Sequence, residues 1–228
     1  MFGLDEKITA FSDGTAVLAV IAVAILLGLR HATDPDHLAA VSTLISSGRE
    51  RTRRAAARLG LAWGFGHATT LFVFGLPIVL YRAYLPDPVQ EGAETAVGLL
   101  IVGLAVWLIL RWHRGVFHPH AHRDKRPART AVQAYGIGLV HGMGGSAGVG
   151  ILLLSAIDDR VVAVGALGLF ALFTAVSMAL LSTGVGATLG ARRVRASFHR
   201  LAPVLGLSSM AFGIWYALGA LSLAPYYL

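Results

Sequence analysis

Long apolar segments alternate with short polar connections along the whole 228-residue chain. A helix needs about 20 apolar residues to cross the hydrocarbon core of a bilayer. Six segments reach this length, and the connections between them are too short to hold a soluble domain. The pattern predicts an all-α polytopic membrane protein with six transmembrane helices, at 14–47 (interrupted), 59–81, 93–112, 131–156, 161–190 and 201–223.

The composition agrees with a chain that lies in lipid. Hydrophobic residues make up 56% of the chain and charged residues 14%, whereas a soluble domain carries about 25% charged residues. Glycine supplies 27 residues, and an excess of glycine in apolar helices favours close helix–helix approach in lipid. The absence of cysteine excludes disulfides, thiolate metal sites and cysteine nucleophiles.

Basic residues are concentrated in alternate connections. Of the 19 Lys and Arg residues, 15 lie between spans one and two, three and four, or five and six. The N-terminus and the other connections carry acidic residues such as Asp5, Asp87 and Asp158. The positive-inside rule therefore predicts that the N-terminus and the C-terminus both lie outside the cytoplasm. The net charge of +7 then reflects topology and contact with the lipid bilayer, and we expect no nucleic-acid partner.

The two halves of the chain resemble one another. Residues 98–107 are similar to residues 206–215, and Gly28–His31 is similar to Gly138–His141. Three spans per half would place the halves in opposite orientations, which is the inverted-repeat architecture of many transporters. We predict one transmembrane domain, residues 1–228, with inverted repeats at about 1–112 and 131–228 joined by a His-rich cytoplasmic loop at 113–130.

A polar segment, Arg30–His37, interrupts the first span. One ionised group at the centre of a bilayer costs about 2.5–3.5 kcal/mol on insertion scales. The two carboxylates, two imidazoles and one guanidinium of this segment therefore need compensation. A divalent cation would provide it, because carboxylate oxygen and imidazole nitrogen suit nickel, cobalt, zinc or copper. The alternative is a buried ion-pair network, such as Arg30 with Asp34, that only fixes packing.

Pro35 affects which of these side chains can share a metal ion. In a straight helix His31 and His37 lie about 120° apart, and Asp34, three residues from each, has the better spacing. Pro35 lacks an N–H and its ring clashes with the preceding turn, so we expect a kinked or unwound backbone. Unwinding would turn His31, Asp36 and His37 towards one point, beside protein or a water-lined cavity.

Two further histidines interrupt apolar spans. His67 lies in span two, and His141 opens the glycine-rich segment His141–Gly148, where glycine weakens the helix of span four. If the repeats hold, His141 is the counterpart of His31, and the first and fourth helices are both broken and face each other. Each histidine has an alternative role as a packed residue with one hydrogen bond. The candidate metal ligands are His31, Asp34, Asp36, His37, His67 and His141.

The pattern Arg30-His31-x4-Asp36-His37, continued by Leu38–Val41, resembles the signature of the nickel/cobalt transporter family, the NiCoT or NicO permeases. Gly66–Thr69 is similar to that family's Gly-His-Ser/Ala segment. The resemblance implies secondary transport of Ni(II) or Co(II), with the metal as substrate and no cofactor. It also implies that the metal pathway includes His31, Asp36, His37 and His67.

This chain departs from the classical members, which are longer, with eight predicted spans and an acidic signature in a later helix. It carries the His141–Gly148 segment instead and is more similar to a shorter branch that includes membrane proteins linked to urease maturation. The resemblance implies an integral protein of the bacterial or archaeal cytoplasmic membrane. A cytoplasmic nickel chaperone or a urease-type maturation system is the candidate partner.

The connection between spans three and four contains His118, His120 and His122 at alternate positions. Such a tract can chelate transition metals, but the surrounding Arg and Lys side chains also fit a solvated basic loop. A cytoplasmic position would suit metal release after import or metal collection before export.

Three functions remain open. The first is a permease for uptake of Ni(II) or Co(II), which is not an enzyme and has no phosphate-binding Gly-x4-Gly-Lys-Ser/Thr motif. The second is a metal exporter of the same family. The third is a rhomboid-like intramembrane serine protease, with Ser146 as nucleophile and His141 or His67 as base. The protease alternative leaves the carboxylates and histidines of the first span unexplained.

Overall fold

The computed structural model describes residues 4–46, 53–82, 86–117, 130–144 and 148–225. Every regular element in these ranges is an α-helix, which confirms the all-α prediction for the described residues. The helices are α1 Leu4–His31, α2 Pro35–Ser46, α3 Arg53–Tyr81, α4 Asp87–His113, α5 Ala131–His141, α6 Gly148–Ser155, α7 Arg160–Gly190 and α8 Arg192–Ala220.

Four of these helices have the length and hydropathy of a membrane span: Arg54–Tyr81, Asp87–His113, Arg160–Gly190 and Ser197–Ala220. A fifth candidate is the bent pair Ala16–His31 and Pro35–Ile45, whose axes differ by 49°. The described residues therefore contain four or five candidate spans. The predicted span at 131–156 includes residues outside the described ranges, and the arrangement of six helices in two repeats stays a prediction.

The break between α1 and α2 follows from Pro35. Pro35 is the first residue of α2. Its missing N–H costs no hydrogen bond there, because the first N–H groups of a helix have no partner within the helix. The connecting turn is closed by the N–H groups of Thr33 and Asp34, which donate to the carbonyls of Arg30 (2.8 Å) and His31 (3.1 Å). The chain therefore changes direction within three residues, Ala32–Asp34.

The helices pair in a fixed pattern around α3 and α7. α3 packs mainly against α7 and α5, α1 packs against α7, and α4 packs against α8. The short helix α2 contacts α4, α7 and α8. The residues that follow the α1–α2 break therefore lie where several helices meet.

Two glycines allow α3 and α5 to approach closely. A Cβ atom on Gly66 would overlap the carbonyl oxygen of Tyr135, and one on Gly138 would overlap the carbonyl oxygen of Trp63. Only glycine permits this separation of the two backbones. The contact sets the position of His67, which follows Gly66, relative to His141, three residues after Gly138.

We predict that Gly138→Ala lowers the thermal stability of the detergent-purified protein. Added volume in a tight contact costs about 1–3 kcal/mol, and α5 can relieve the overlap only by moving away from α3. The matched control is Gly136→Ala on the same helix, because a Cβ there has no neighbour within 4 Å and alanine is the better helix former. Equal unfolding temperatures for the two variants would contradict the predicted contact.

Candidate metal site

Five buried ionisable side chains meet at the helix break. His31 is the last residue of α1, Asp36 and His37 lie in the first turn of α2, and His67 lies near the middle of α3. His141 is the last residue of α5. Each of the five is at most 4% exposed. Residues far apart in sequence are thus collected in one cluster inside the helix bundle.

Three histidines form the first group of candidate ligands. His31, His37 and His67 each offer a ring nitrogen, and these atoms lie within 4.8 Å of one another. The Nε2 atoms of His31 and His67 are 3.0 Å apart. Two imidazole nitrogens held about 2.1 Å from an ion, at the right angle of octahedral or square-planar coordination, would also lie about 3.0 Å apart. The spacing of these two rings therefore suits adjacent ligands of one transition-metal ion.

The second group contains the carboxylate. Ligand atoms of Asp36, His37 and His141 also lie within 4.8 Å of one another. His37 Nδ1 lies 2.9 Å from Asp36 Oδ1, and His141 Nε2 lies 3.4 Å from Asp36 Oδ2. His37 thus belongs to both groups of candidate ligands.

The hydrogen bonds leave ring nitrogens available for a cation. A carboxylate only accepts, so a neutral His37 donates from Nδ1 to Asp36 and keeps a lone pair on Nε2. Within the described part of the chain, His37 Nε2, His67 Nδ1 and His141 Nδ1 are buried without a hydrogen-bond partner. A buried polar atom left unpaired costs about 1–3 kcal/mol. A metal ion bound at His37 Nε2 would remove that cost there, whereas His67 and His141 face the other site residues through Nε2.

Asp34 contacts the opposite edge of the His31 ring. Its Oδ2 atom lies 3.1 Å from His31 Nδ1, and it belongs to neither group of candidate ligands. Its carboxylate also lies 3.6 Å from the exposed guanidinium of Arg30. A carboxylate on Nδ1 holds the histidine in the tautomer whose Nε2 lone pair faces His67. The predicted helical spacing of Asp34 does not apply, because the helix ends before it.

Helices α1 and α5 direct their C-terminal ends at the cluster, where helices carry partial negative charge and favour cations. The last carbonyls of a helix lack partners within it. Ser177 Oγ donates to the carbonyl of Leu29 (2.6 Å), and Thr70 Oγ1 donates to the carbonyl of Leu139 (2.9 Å). The sequence analysis did not identify Ser177 or Thr70. Thr70 lies on the span that follows the predicted break in span one, and Ser177 lies on the span that follows the glycine-rich segment of span four.

Aromatic rings enclose the histidines. The ring of Phe170 lies 5.7 Å from that of His31, and the indole of Trp63 lies 5.9 Å from His37 and 5.5 Å from His141. These walls replace water with apolar surface, which strengthens electrostatic interactions within the cluster.

Other predicted features fall outside the described residues. These include Ser146, the nucleophile of the protease alternative, and the loop histidines His118, His120 and His122. His141, one of the two bases considered for Ser146, contacts Asp36 and His37.

Comparison with known proteins agrees with the chemistry of the cluster. A family model described as NicO, high-affinity nickel-transport protein, matches residues 17–137. The urease accessory protein UreH of Bacillus sp. (strain TB-90) is 30% identical over 215 residues, which cover 90% of this chain and 92% of that protein.

Two relatives match a shorter part of the chain. The putative nickel/cobalt efflux system MJ1092 of Methanocaldococcus jannaschii is 29% identical over 44% of this chain and 45% of its own length. The nickel/cobalt efflux system RcnA of Salmonella arizonae is 30% identical over 40% of this chain and 33% of its own length. No solved structure matches the chain significantly.

The matched region contains the first-span signature and the segment around His67, so the predicted resemblance is confirmed. Together with the apolar helices, it identifies an integral membrane protein. The chain belongs to the NicO nickel-transport family, which consists of transporters and not of enzymes.

Proposed function

We propose that this chain is a secondary transporter that carries Ni(II) or Co(II) into the cell across the cytoplasmic membrane. The ion would be bound by His31, Asp36, His37, His67 and His141. The observation that carries the proposal is the convergence of these five buried side chains at a helix break in a member of a nickel-transport family.

The ligand chemistry supports a transition metal as substrate. Four imidazoles and one carboxylate favour nickel or cobalt over magnesium or calcium, which prefer ligand sets made of oxygen alone. The imidazoles replace water ligands of the ion without adding charge. Asp36 offsets part of the positive charge, and Asp34 acts through His31 by orienting its ring.

We also propose that residues 1–228 form one domain of two inverted repeats, about 1–112 and 131–228, joined by the loop at 113–130. Equivalent turns support this. Asp34 N donates to His31 O (3.1 Å), and Gly144 N donates to His141 O (3.2 Å). Both residues of the second bond stand 110 positions after those of the first.

Equivalent packing contacts add to that support. A Cβ on Gly28 would lie 2.6 Å from Phe170 O and 3.0 Å from Thr174 N. A Cβ on Gly138 would meet Trp63 O and lie 2.9 Å from His67 N. Trp63 and His67 stand 107 positions before Phe170 and Thr174, so the two glycines face equivalent backbone atoms. The first helix of each half thus packs on a long helix of the other half, as expected for repeats that exchange elements.

The basic connections favour N- and C-termini outside the cytoplasm by the positive-inside rule, with the loop at 113–130 and its histidines on the cytoplasmic side. That position suits delivery of an imported ion to a nickel chaperone or a urease-type maturation system, and it suits collection before export equally. The support for import comes from the relatives. The relative named as a urease accessory protein matches over nearly its full length, whereas the relatives named as efflux systems match over less than half of this chain. Those efflux relatives make export the second candidate.

His37→Ala tests the site, because His37 belongs to both ligand groups. We expect uptake of radioactive nickel by cells that express the variant to fall at least about tenfold. Loss of a side chain that only supports a metal ligand already lowers affinity or activity by about 10–100-fold. The matched control is His113→Ala, since His113 is exposed at the end of α4. Uptake by the His37 variant equal to that of the control, at equal membrane abundance, would refute the proposed site.

Asp34→Ala tests the orienting role of Asp34. Loss of the carboxylate on His31 Nδ1 should weaken nickel binding about 10–100-fold, measured as the nickel concentration that half-saturates uptake. Asp34→Asn keeps an acceptor oxygen and should lose less affinity. The role is wrong if both variants retain the half-saturating concentration of the unaltered protein.

The direction of transport is tested by cobalt toxicity. An importer should raise cell-associated cobalt and lower the cobalt concentration that stops growth, whereas an exporter should do the opposite. Cells that express His37→Ala should behave like cells without the protein. Growth that becomes more resistant on expression of the unaltered chain would establish the exporter instead.

A further inference from the structure

The five ligating side chains form two overlapping groups and not one. The nitrogen position, as we name it, consists of His31, His37 and His67; the carboxylate position consists of Asp36, His37 and His141. Within the described residues, no larger set of these side chains keeps all of its ligand atoms within 4.8 Å. An ion about 2.1 Å from each ligand holds all of them within about 4.2 Å of one another. One ion therefore does not contact all five side chains at once in this arrangement, whereas each group alone is close enough to bind one ion after a small movement of its side chains.

We propose that the cation occupies these two positions in succession, with His37 as the residue common to both. It would bind through Nε2 in the nitrogen position and, once the proton on Nδ1 has passed to Nε2, through Nδ1 beside Asp36 in the carboxylate position. The inference rests on the proposed function, since it divides the proposed site into two steps. His31 and His67 leave the ion as Asp36 and His141 bind it. The exchange leaves the ion partly coordinated throughout, so it never regains or loses a complete shell of water.

The two positions differ in charge. Neutral imidazoles surround the ion in the nitrogen position, so its full charge of 2+ remains. The carboxylate position adds Asp36, which lies in the first turn of α2, where the helix dipole favours a negative side chain. Opposite charges attract strongly in a site enclosed by Trp63 and Phe170. Electrostatic attraction therefore favours the transfer towards Asp36.

The positions also belong to different broken helices. His31 ends α1 and completes the nitrogen position, whereas His141 ends α5 and completes the carboxylate position. His37, on α2, lies between them, with its ring centroid 4.5 Å from that of each terminal histidine. The transfer thus carries the ion from the end of one half-helix to the end of the other.

The test counts imidazole ligands of bound nickel by X-ray absorption on the purified full-length chain. All samples carry His118→Ala, His120→Ala and His122→Ala, so that loop histidines do not contribute. We compare His141→Gln, which alters only the carboxylate position, with His67→Gln, which alters only the nitrogen position. His37→Gln alters both positions, and His113→Ala is the control outside them.

We expect His141→Gln to retain one nickel ion per chain with three imidazole ligands, those of the nitrogen position. We expect His67→Gln to retain one nickel ion with two imidazole ligands, those of the carboxylate position. Nickel uptake should fall more than tenfold in both, and His37→Gln should lose nickel binding. The proposal is overturned if either of the first two variants, monodisperse on gel filtration, loses nickel, or if both show the same imidazole count. A variant that fails to fold is replaced by the corresponding Asn variant, judged by the same criteria. If the chain that carries only the three loop substitutions binds no nickel, the proposed function fails. If that chain binds nickel but His141→Gln and His67→Gln do not differ in their number of imidazole ligands, only the two-position inference fails.

Discussion

The architecture depends on one constraint: a helix broken inside a membrane must satisfy its backbone polar groups with other parts of the protein. At the first break this is done by the turn bonds of Thr33 and Asp34 and by the hydroxyl of Ser177. At the C-terminal end of α5, Thr70 supplies the hydroxyl that bonds to the carbonyl of Leu139. Because α7 and α3 provide these hydroxyls, α1 and α5 are held against the long spans that surround the histidine cluster.

The same breaks explain why the site collects nitrogen ligands. An intact helix would keep His31 and His37 on different faces, whereas the break brings their ring centroids to 4.5 Å. The ends of α1 and α5 then present the negative poles of two helices to a common volume. A cation is stabilised there before any side chain binds it, and one carboxylate, Asp36, supplies the only formal negative charge within the two ligand groups.

Parts of this arrangement could be predicted from the sequence because their causes are local. Pro35 next to charged residues such as Asp36 indicates a break in an apolar span, whereas Pro77 and Pro203 lie inside helices that continue through them. The proximity of His67 to His141, whose ring centroids lie 5.8 Å apart, could not be predicted, since it depends on how closely α3 approaches α5. Gly66 and Gly138 permit that approach, but a glycine in a sequence does not reveal its partner. Asp34 was a candidate by its spacing in an unbroken helix; the break instead brings its carboxylate to 3.1 Å from His31 Nδ1, and its role as a metal ligand stays a prediction.

Under the proposed inverted repeat, the scaffold is duplicated but the ligands are not. The position equivalent to His67 is Thr174, whose hydroxyl donates to the carbonyl of Phe170 within its own helix. His31 and His141 are equivalent, but only His31 has a carboxylate on Nδ1, because Gly144 stands where the first half has Asp34. His141 Nδ1 has no hydrogen-bond partner among the described residues, so its tautomer is free to change when its Nε2 meets Asp36 or an ion. A symmetric framework can thus hold two positions of different chemistry, one rigid and rich in nitrogen, the other adaptable and partly anionic, and this difference gives the passage of an ion a preferred order.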